Sequence, residues 1–169
     1  MIRQIFDKDI NPHLEEVRAG HLIVFIKKIC AEHKITQVKL YVFDERIKFV
    51  STLTGNQIVI APLTIPLSPL SPRQYIFFPR QWLESESLDQ DDLHFIICHE
   101  MGHLRIKQIF LKIRHFFNDQ KFHEKREIDA DSFAAKVLGK EICIKTLEKI
   151  ADALTDPIIR KRIIALRNI

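Results

Sequence analysis

The chain has 169 residues, 46% of them hydrophobic and 28% charged, with a net charge of +4; that length and balance suit one domain, residues 1–169, with a sizeable core. Only 4 glycines and 7 prolines are present and no internal repeat is visible, which excludes disordered, low-complexity and repeat architectures as readings. The longest unbroken apolar run, Leu22 to Ile26, falls far short of the roughly 20 residues a spanning helix needs.

In chain order, Met1-Ile-Arg-Gln-Ile-Phe-Asp7 carries no apolar signal segment and no small-residue cleavage site, so a cytoplasmic protein is expected. Asn11-Pro12 reads as an N-cap with proline in the first turn. Leu14, Val17, Leu22, Phe25 and Ile29 then recur at roughly helical spacing, which predicts a helix ending near His33. From Gln37, Val38, Leu40 and Val42 alternate with Lys39, Tyr41 and Phe43, predicting a strand. Ile47 to Leu53 and Gln57 to Ala61, separated by Thr54-Gly55-Asn56, read as a hairpin. Pro62 to Pro72 holds four of the prolines and reads as an extended connection. Tyr75 to Phe78 is a short apolar strand candidate.

Ser87-Leu88-Asp89-Gln90 resembles a capping box, and Asp89, Asp91 and Asp92 favour the positive end of a helix dipole. The predicted helix runs through Leu93, Ile96, His99, Glu100 and His103, and its pattern extends to Phe117. Asn118-Asp119-Gln120 breaks it. Further helices are predicted over Phe122 to Leu138, closed by Gly139, Glu141 to Ala153, and Pro157 to Arg167 behind an Asp156 cap. Cys30, Cys98 and Cys143 are widely spaced and form no CxxC pair, so they read as reduced core thiols.

The run His99-Glu100-Met101-Gly102-His103 fits the pattern HExxH. Residues four apart share one helical face, so both imidazoles can bind one zinc ion. Glu100 is then placed to take a proton from a water activated by the metal. A catalytic zinc needs a third protein ligand and one open position. The extended pattern HExxHxxGxxH is excluded, because Ile106 and Ile109 stand at its Gly and His positions. The other route is a carboxylate from a following helix. Glu127 and Asp131 are four apart, with the small Ala130 and Ala134 beside them to allow close helix approach. Glu127 is assigned as third ligand, with Glu124 and Asp129 as competitors that share the alanine face less well. Asp131 is placed to accept a hydrogen bond from a ligand histidine. His123, four residues before Glu127, can approach the site but reads as a surface or capping residue. His94 and His115 are not at ligand spacing and read as structural. Cys98 points about 100° away from His99 around the helix and reads as a core thiol.

The segments Phe95 to His103 and Glu127-Ile-Asp-Ala-Asp-Ser-Phe-Ala-Ala-Lys-Val-Leu-Gly139 resemble the gluzincin peptidases of the HtpX-like and CAAX-prenyl-protease-like family. Leu147 to Ile150, Asp156-Pro157 to Arg162-Ile163, Ile76 to Phe78 and Trp82-Leu83 add to the likeness, which covers roughly residues 37–169. The resemblance implies an α+β zincin-like fold, with a small mixed sheet over the HExxH helix and a following glutamate helix. It implies zinc-dependent endopeptidase chemistry with Glu100 as general base and acid, and an extended substrate paired to a sheet edge, here Ile47 to Leu53. Three features depart from the family: no spanning segment is present, Ile47-Lys48 stands where Asn-Ala is common, and Asp156-Pro157 replaces His-Pro. Tyr75, His123 and Arg160 are candidates for stabilising the oxyanion.

The expected function is therefore a soluble zinc metalloendopeptidase acting on a peptide or protein substrate. Two alternatives stand beside it. One is a zincin-fold regulatory protease acting on one partner, of repressor or antitoxin type. The other is a module that docks on a membrane or partner through the basic amphipathic helix 104–117. From Arg105 to Arg126 seven Lys and Arg face only Asp119 and Glu124, a patch that attracts acidic partners. Nucleic acid is not expected, since no recognised binding module accompanies the charge.

Overall fold

A computed structural model describes residues 14–18, 20–35, 37–43, 63–66, 74–105, 120–153 and 157–169. The fold is α+β, mostly helical, with a small mixed sheet. It divides into two compact units, Met1–Leu88 and Asp89–Ile169. No helix among the described residues is long and apolar enough to cross a membrane.

The first unit contains β1 (Leu14–Val17), α1 (His21–His33), β2 (Val38–Phe43), β3 (Leu63–Pro66), β4 (Gln74–Pro79) and the short α2 (Arg80–Leu83). The strands lie in the order β1-β2-β4-β3. β2 runs parallel to β4, with Val38 opposite Gln74, while β1 and β3 pair antiparallel with β2 and β4. Tyr75 to Pro79 are all buried, as a strand inside a sheet and covered on both faces should be, which explains the unbroken apolar run Tyr75 to Phe78. Val38, Leu40 and Val42 are buried between half-buried Lys39 and Tyr41, the alternation read in the sequence. Pro66 ends β3, the outer strand among the described residues, where a missing ladder donor is tolerated.

Leu14–Val17 is a strand, where helical spacing predicted the start of a helix. Two apolar residues three apart fit either element. The pairing of Leu14 to Val17 with Phe43 to Leu40 decides between them, and that partner is remote in sequence. Gly20, at φ 98°, makes the break, and the helix starts at His21. Its buried stripe is Leu22, Ile23, Ile26 and Ile29, and it ends after His33 on Lys34 in the left-handed region. The hairpin expected over residues 47–61, the edge strand Ile47 to Leu53, the caps Asn11 and Asp156, and the basic segment beyond Arg105 with His115 lie outside the described residues.

The second unit is a helical cluster: α3 (Gln90–Arg105), α4 (Gln120–Leu138), α5 (Lys140–Ala153) and α6 (Pro157–Arg167). Its centre is α3, buried at every position from Asp92 to Leu104 except His94. The capping box of α3 lies two residues later than the spacing suggested. The Asp92 backbone N–H donates to Asp89 Oδ1 and the Asp89 N–H donates to Asp92 Oδ2, both at 3.0 Å. This reciprocal arrangement satisfies two N–H groups at the helix start. Asp92 is buried, so its charge needs partners. α5 supplies them: Thr146 Oγ1 donates at 2.6 Å and Lys149 Nζ at 2.6 Å.

α3 meets α4 at Gly102. A Cβ there would stand 2.8 Å from Ala130 Cα and 2.9 Å from Ala130 O. Ala130 and Ala134 are both fully buried. The two helices thus touch backbone to backbone one turn from Glu127. Gly139, at φ 90°, closes α4 as the sequence suggested.

Candidate metal centre

Burying a charged or polar group without partners costs free energy. α3 nevertheless buries His99, Glu100 and His103, each under 9% exposed. Their donor atoms lie within 4.8 Å of one another, and this group could hold a metal ion. The two rings come together because helical residues four apart stack on one face; their centroids are 4.6 Å apart. His99 Nε2 and His103 Nε2 approach to 3.0 Å. Two ring nitrogens this close share either a proton or a cation.

Glu127, on α4, faces the same point. Its Oε2 lies 3.2 Å from His99 Nε2 and its Oε1 lies 3.4 Å from His103 Nε2. The competitors are engaged or turned away: Glu124 accepts from Lys161 Nζ at 2.7 Å, and Asp129 is exposed. Asp131 is fully buried, with Oδ1 2.7 Å from His99 Nδ1. An ionised carboxylate only accepts, so Nδ1 carries the proton that faces Asp131 and Nε2 donates to Glu127; Nε2 becomes a ligand atom on giving up that proton.

The sequence reading missed Arg162. This arginine of α6 donates from Nε to Asp131 Oδ2 and from Nη2 to Asp131 Oδ1, each at 2.7 Å. Its Nη1 stands 3.7 Å from Glu127 Oε2. Nη2 is also 3.3 Å from His99 Nδ1; with the Nδ1 proton spent on Asp131, that is a contact between two donors aimed at one carboxylate. A signal for Arg162 was present. Ile159, Ile163 and Leu166 form the buried stripe of α6, and position 162 falls on that stripe by helical spacing. A charge on an apolar stripe needs a buried partner.

Arg160, named as an oxyanion candidate, is exposed. His123 Nδ1 is 3.5 Å from Glu127 Oε1, with its side chain 54% exposed, so it stands at the solvent edge of the cluster. Tyr75 belongs to the first unit. Cys30, Cys98 and Cys143 form no disulfide among the described residues; Cys98 and Cys143 are buried core thiols as expected, while Cys30 is half-buried.

Four titratable groups of the cluster are shifted from their ordinary values. Burial opposes ionisation of Glu127, but the His99 hydrogen bond and the charges of His99, His103 and Arg162 hold its pKa below the usual range. Asp131 is held low against its own burial by Arg162 and His99. Burial and Arg162 oppose a proton on His99, yet Asp131 and Glu127 outweigh them and raise its pKa. Burial and the neighbouring His99 lower that of His103. Two ionised carboxylates, Glu127 and Asp131, thus face two positive groups, Arg162 and His99, and a further positive charge on His103 is disfavoured.

No protein-family model matches this chain, and no curated protein or solved structure matches it.

Proposed function

We propose that this chain is a zinc-dependent metalloendopeptidase of the glutamate-zincin type, in keeping with the family its two motif segments resemble. The observation that carries this reading is the triangle of His99 Nε2, His103 Nε2 and the Glu127 carboxylate, with separations of 3.0, 3.2 and 3.4 Å. Ligands of a tetrahedral zinc with bonds of 2.0–2.1 Å sit about 3.3 Å apart. Two imidazoles with one carboxylate also match the ligand set of catalytic rather than structural zinc. Zinc bound there supplies Lewis-acid polarisation of the scissile carbonyl and makes water acidic near neutral pH.

The chain's own groups do the rest. Asp131 fixes the His99 ring with Nε2 toward the metal position. Glu100 adjoins both rings. It takes the proton of the attacking water and returns it to the leaving amine, as a general base and then a general acid. Cysteine nucleophilic chemistry is disfavoured, since burial pushes the Cys98 thiol far above its ordinary range and the thiolate is the reactive form. The substrate is a peptide or protein, and the cytoplasm is the proposed compartment.

The test is digestion of a peptide library by wild type and by Glu100→Gln, both loaded with zinc. Cleavage by wild type alone supports the proposal and reads out specificity. Cleavage that survives in Glu100→Gln sinks the mechanism.

A further inference from the structure

The donor set comes from α3 and α4, yet α6 reaches into it through one side chain. Arg162 is 14% exposed on its side chain, and its guanidinium touches three members of the cluster. Nε and Nη2 span both oxygens of Asp131 at 2.7 Å, Nη2 lies against His99 Nδ1 at 3.3 Å, and Nη1 lies 3.7 Å from Glu127 Oε2.

We propose that Arg162 is a positioning residue for the metal centre, setting which nitrogen His99 presents and which way the Glu127 carboxylate turns. The inference rests on the zinc reading above and extends it to a residue of the last helix. Both Asp131 oxygens could otherwise rotate about the terminal torsion, which is broad. The planar fork of the guanidinium fixes that torsion, because two parallel donors match two carboxylate oxygens in one plane. With the torsion fixed, Oδ1 points at His99 Nδ1, the proton stays on that nitrogen, and Nε2 is left as the ligand atom. On the other side, Nη1 attracts Oε2 of Glu127. Oε2 lies 3.2 Å from His99 Nε2 and Oε1 3.4 Å from His103 Nε2, so this attraction bears on how the carboxylate faces the two ring nitrogens.

A purely structural Arg162 would stabilise the helix cluster without these effects, so the test reads the site itself. Zinc affinity is measured by chelator competition. The tautomer of His99 is read from its ring ¹⁵N shifts, and the coordination number from the visible spectrum of the cobalt(II) form. Five proteins are compared: wild type, Arg162→Lys, Arg162→Met, Asp131→Asn, and the double variant Asp131→Asn with Arg162→Met. Lysine keeps the charge but loses the fork. The double variant removes the buried charges together, so neither is stranded.

The expectation for Arg162→Lys is zinc affinity reduced about 10- to 100-fold, mixed His99 tautomers, and an altered cobalt band as the Glu127 carboxylate turns. Because Arg162 acts largely through Asp131, the double variant should bind zinc within about threefold of Asp131→Asn alone. An Arg162→Lys protein with wild-type affinity, tautomer and cobalt spectrum overturns the inference, as does a double variant whose two losses simply add. Wild type that takes up no zinc overturns the metal reading itself, and this inference with it.

Discussion

Replacing Gly102 by alanine tests whether the packing of α3 on α4 builds the centre. The new Cβ would stand 2.8 Å from Ala130 Cα and 2.9 Å from Ala130 O. Carbon atoms settle at about 3.5–4.0 Å, and helix backbone cannot rotate aside as a side-chain tip can. The helices must therefore part by about 0.7–1 Å at this point. Glu127 lies less than one turn from Ala130 and moves with it. Its separations of 3.2 and 3.4 Å from the two Nε2 atoms would then grow to about 4 Å, the outer limit that two bonds of 2.0–2.1 Å can bridge. Overpacking costs about 1–3 kcal/mol, offset in part by the roughly 1 kcal/mol that alanine gains over glycine inside a helix. The variant should fold with a modestly lower melting temperature, yet lose at least about tenfold in zinc affinity, a loss of the size seen when a ligand's support is disturbed. Chelator competition and calorimetry measure the two quantities side by side. Wild-type zinc affinity in Gly102→Ala would refute the reasoning. Gly139→Ala is the control. Its φ of 90° makes alanine strained, but the nearest atom is Glu141 Oε2 at 3.7 Å; it should lower stability and leave zinc binding unchanged.

Further outcomes are expected. Asp131→Asn should weaken zinc binding about tenfold, read by the same competition assay, because an amide cannot accept from both His99 and the Arg162 fork. Thr146→Val should destabilise the fold by about 1–3 kcal/mol in urea titration, since it strips the buried Asp92 of a 2.6 Å donor, without changing metal stoichiometry. The pKa of Asp89 is lowered to about 2 by the Lys149 hydrogen bond, with help from the Asp92 backbone N–H. A depressed folded pKa gives stability that is present above the unfolded value, near 3.8, and lost as pH falls toward about 2. Asp89→Asn should therefore flatten the acid side of a stability–pH curve in that window, with a small amplitude because Asp89 is half exposed.

How much of this was legible in the sequence depends on whether the determining contacts are local. The helices α4, α5 and α6 announce themselves through periodicity, Gly139 and Pro157, and each is found where expected within a few residues, while α3 is found over Gln90–Arg105 and its expected reach to Phe117 lies outside the described residues. The convergence of His99 and His103 follows from a four-residue spacing alone. Placing Glu127 beside them needed the close approach of two helices, and Ala130 signalled it; its partner Gly102 lies inside the motif itself. β1 was misread because its partner β2 lies some two dozen residues away, and local spacing is silent on such pairing. Arg162 was missed for a related reason. Its partners sit on two other helices, and only the incongruity of a charge beside Ile159 and Ile163 hinted at them. The short α2 (Arg80–Leu83) follows directly on β4 and has too few residues to show a period.

The central claim is that His99, His103 and Glu127 bind one zinc ion, and elemental analysis of purified protein with zinc titration tests it most directly. Wild type and Glu100→Gln should each hold one zinc per chain, while Glu127→Ala should bind at least about tenfold more weakly. Wild type that takes up no zinc, or a Glu127→Ala protein that binds it as tightly as wild type, would contradict the account.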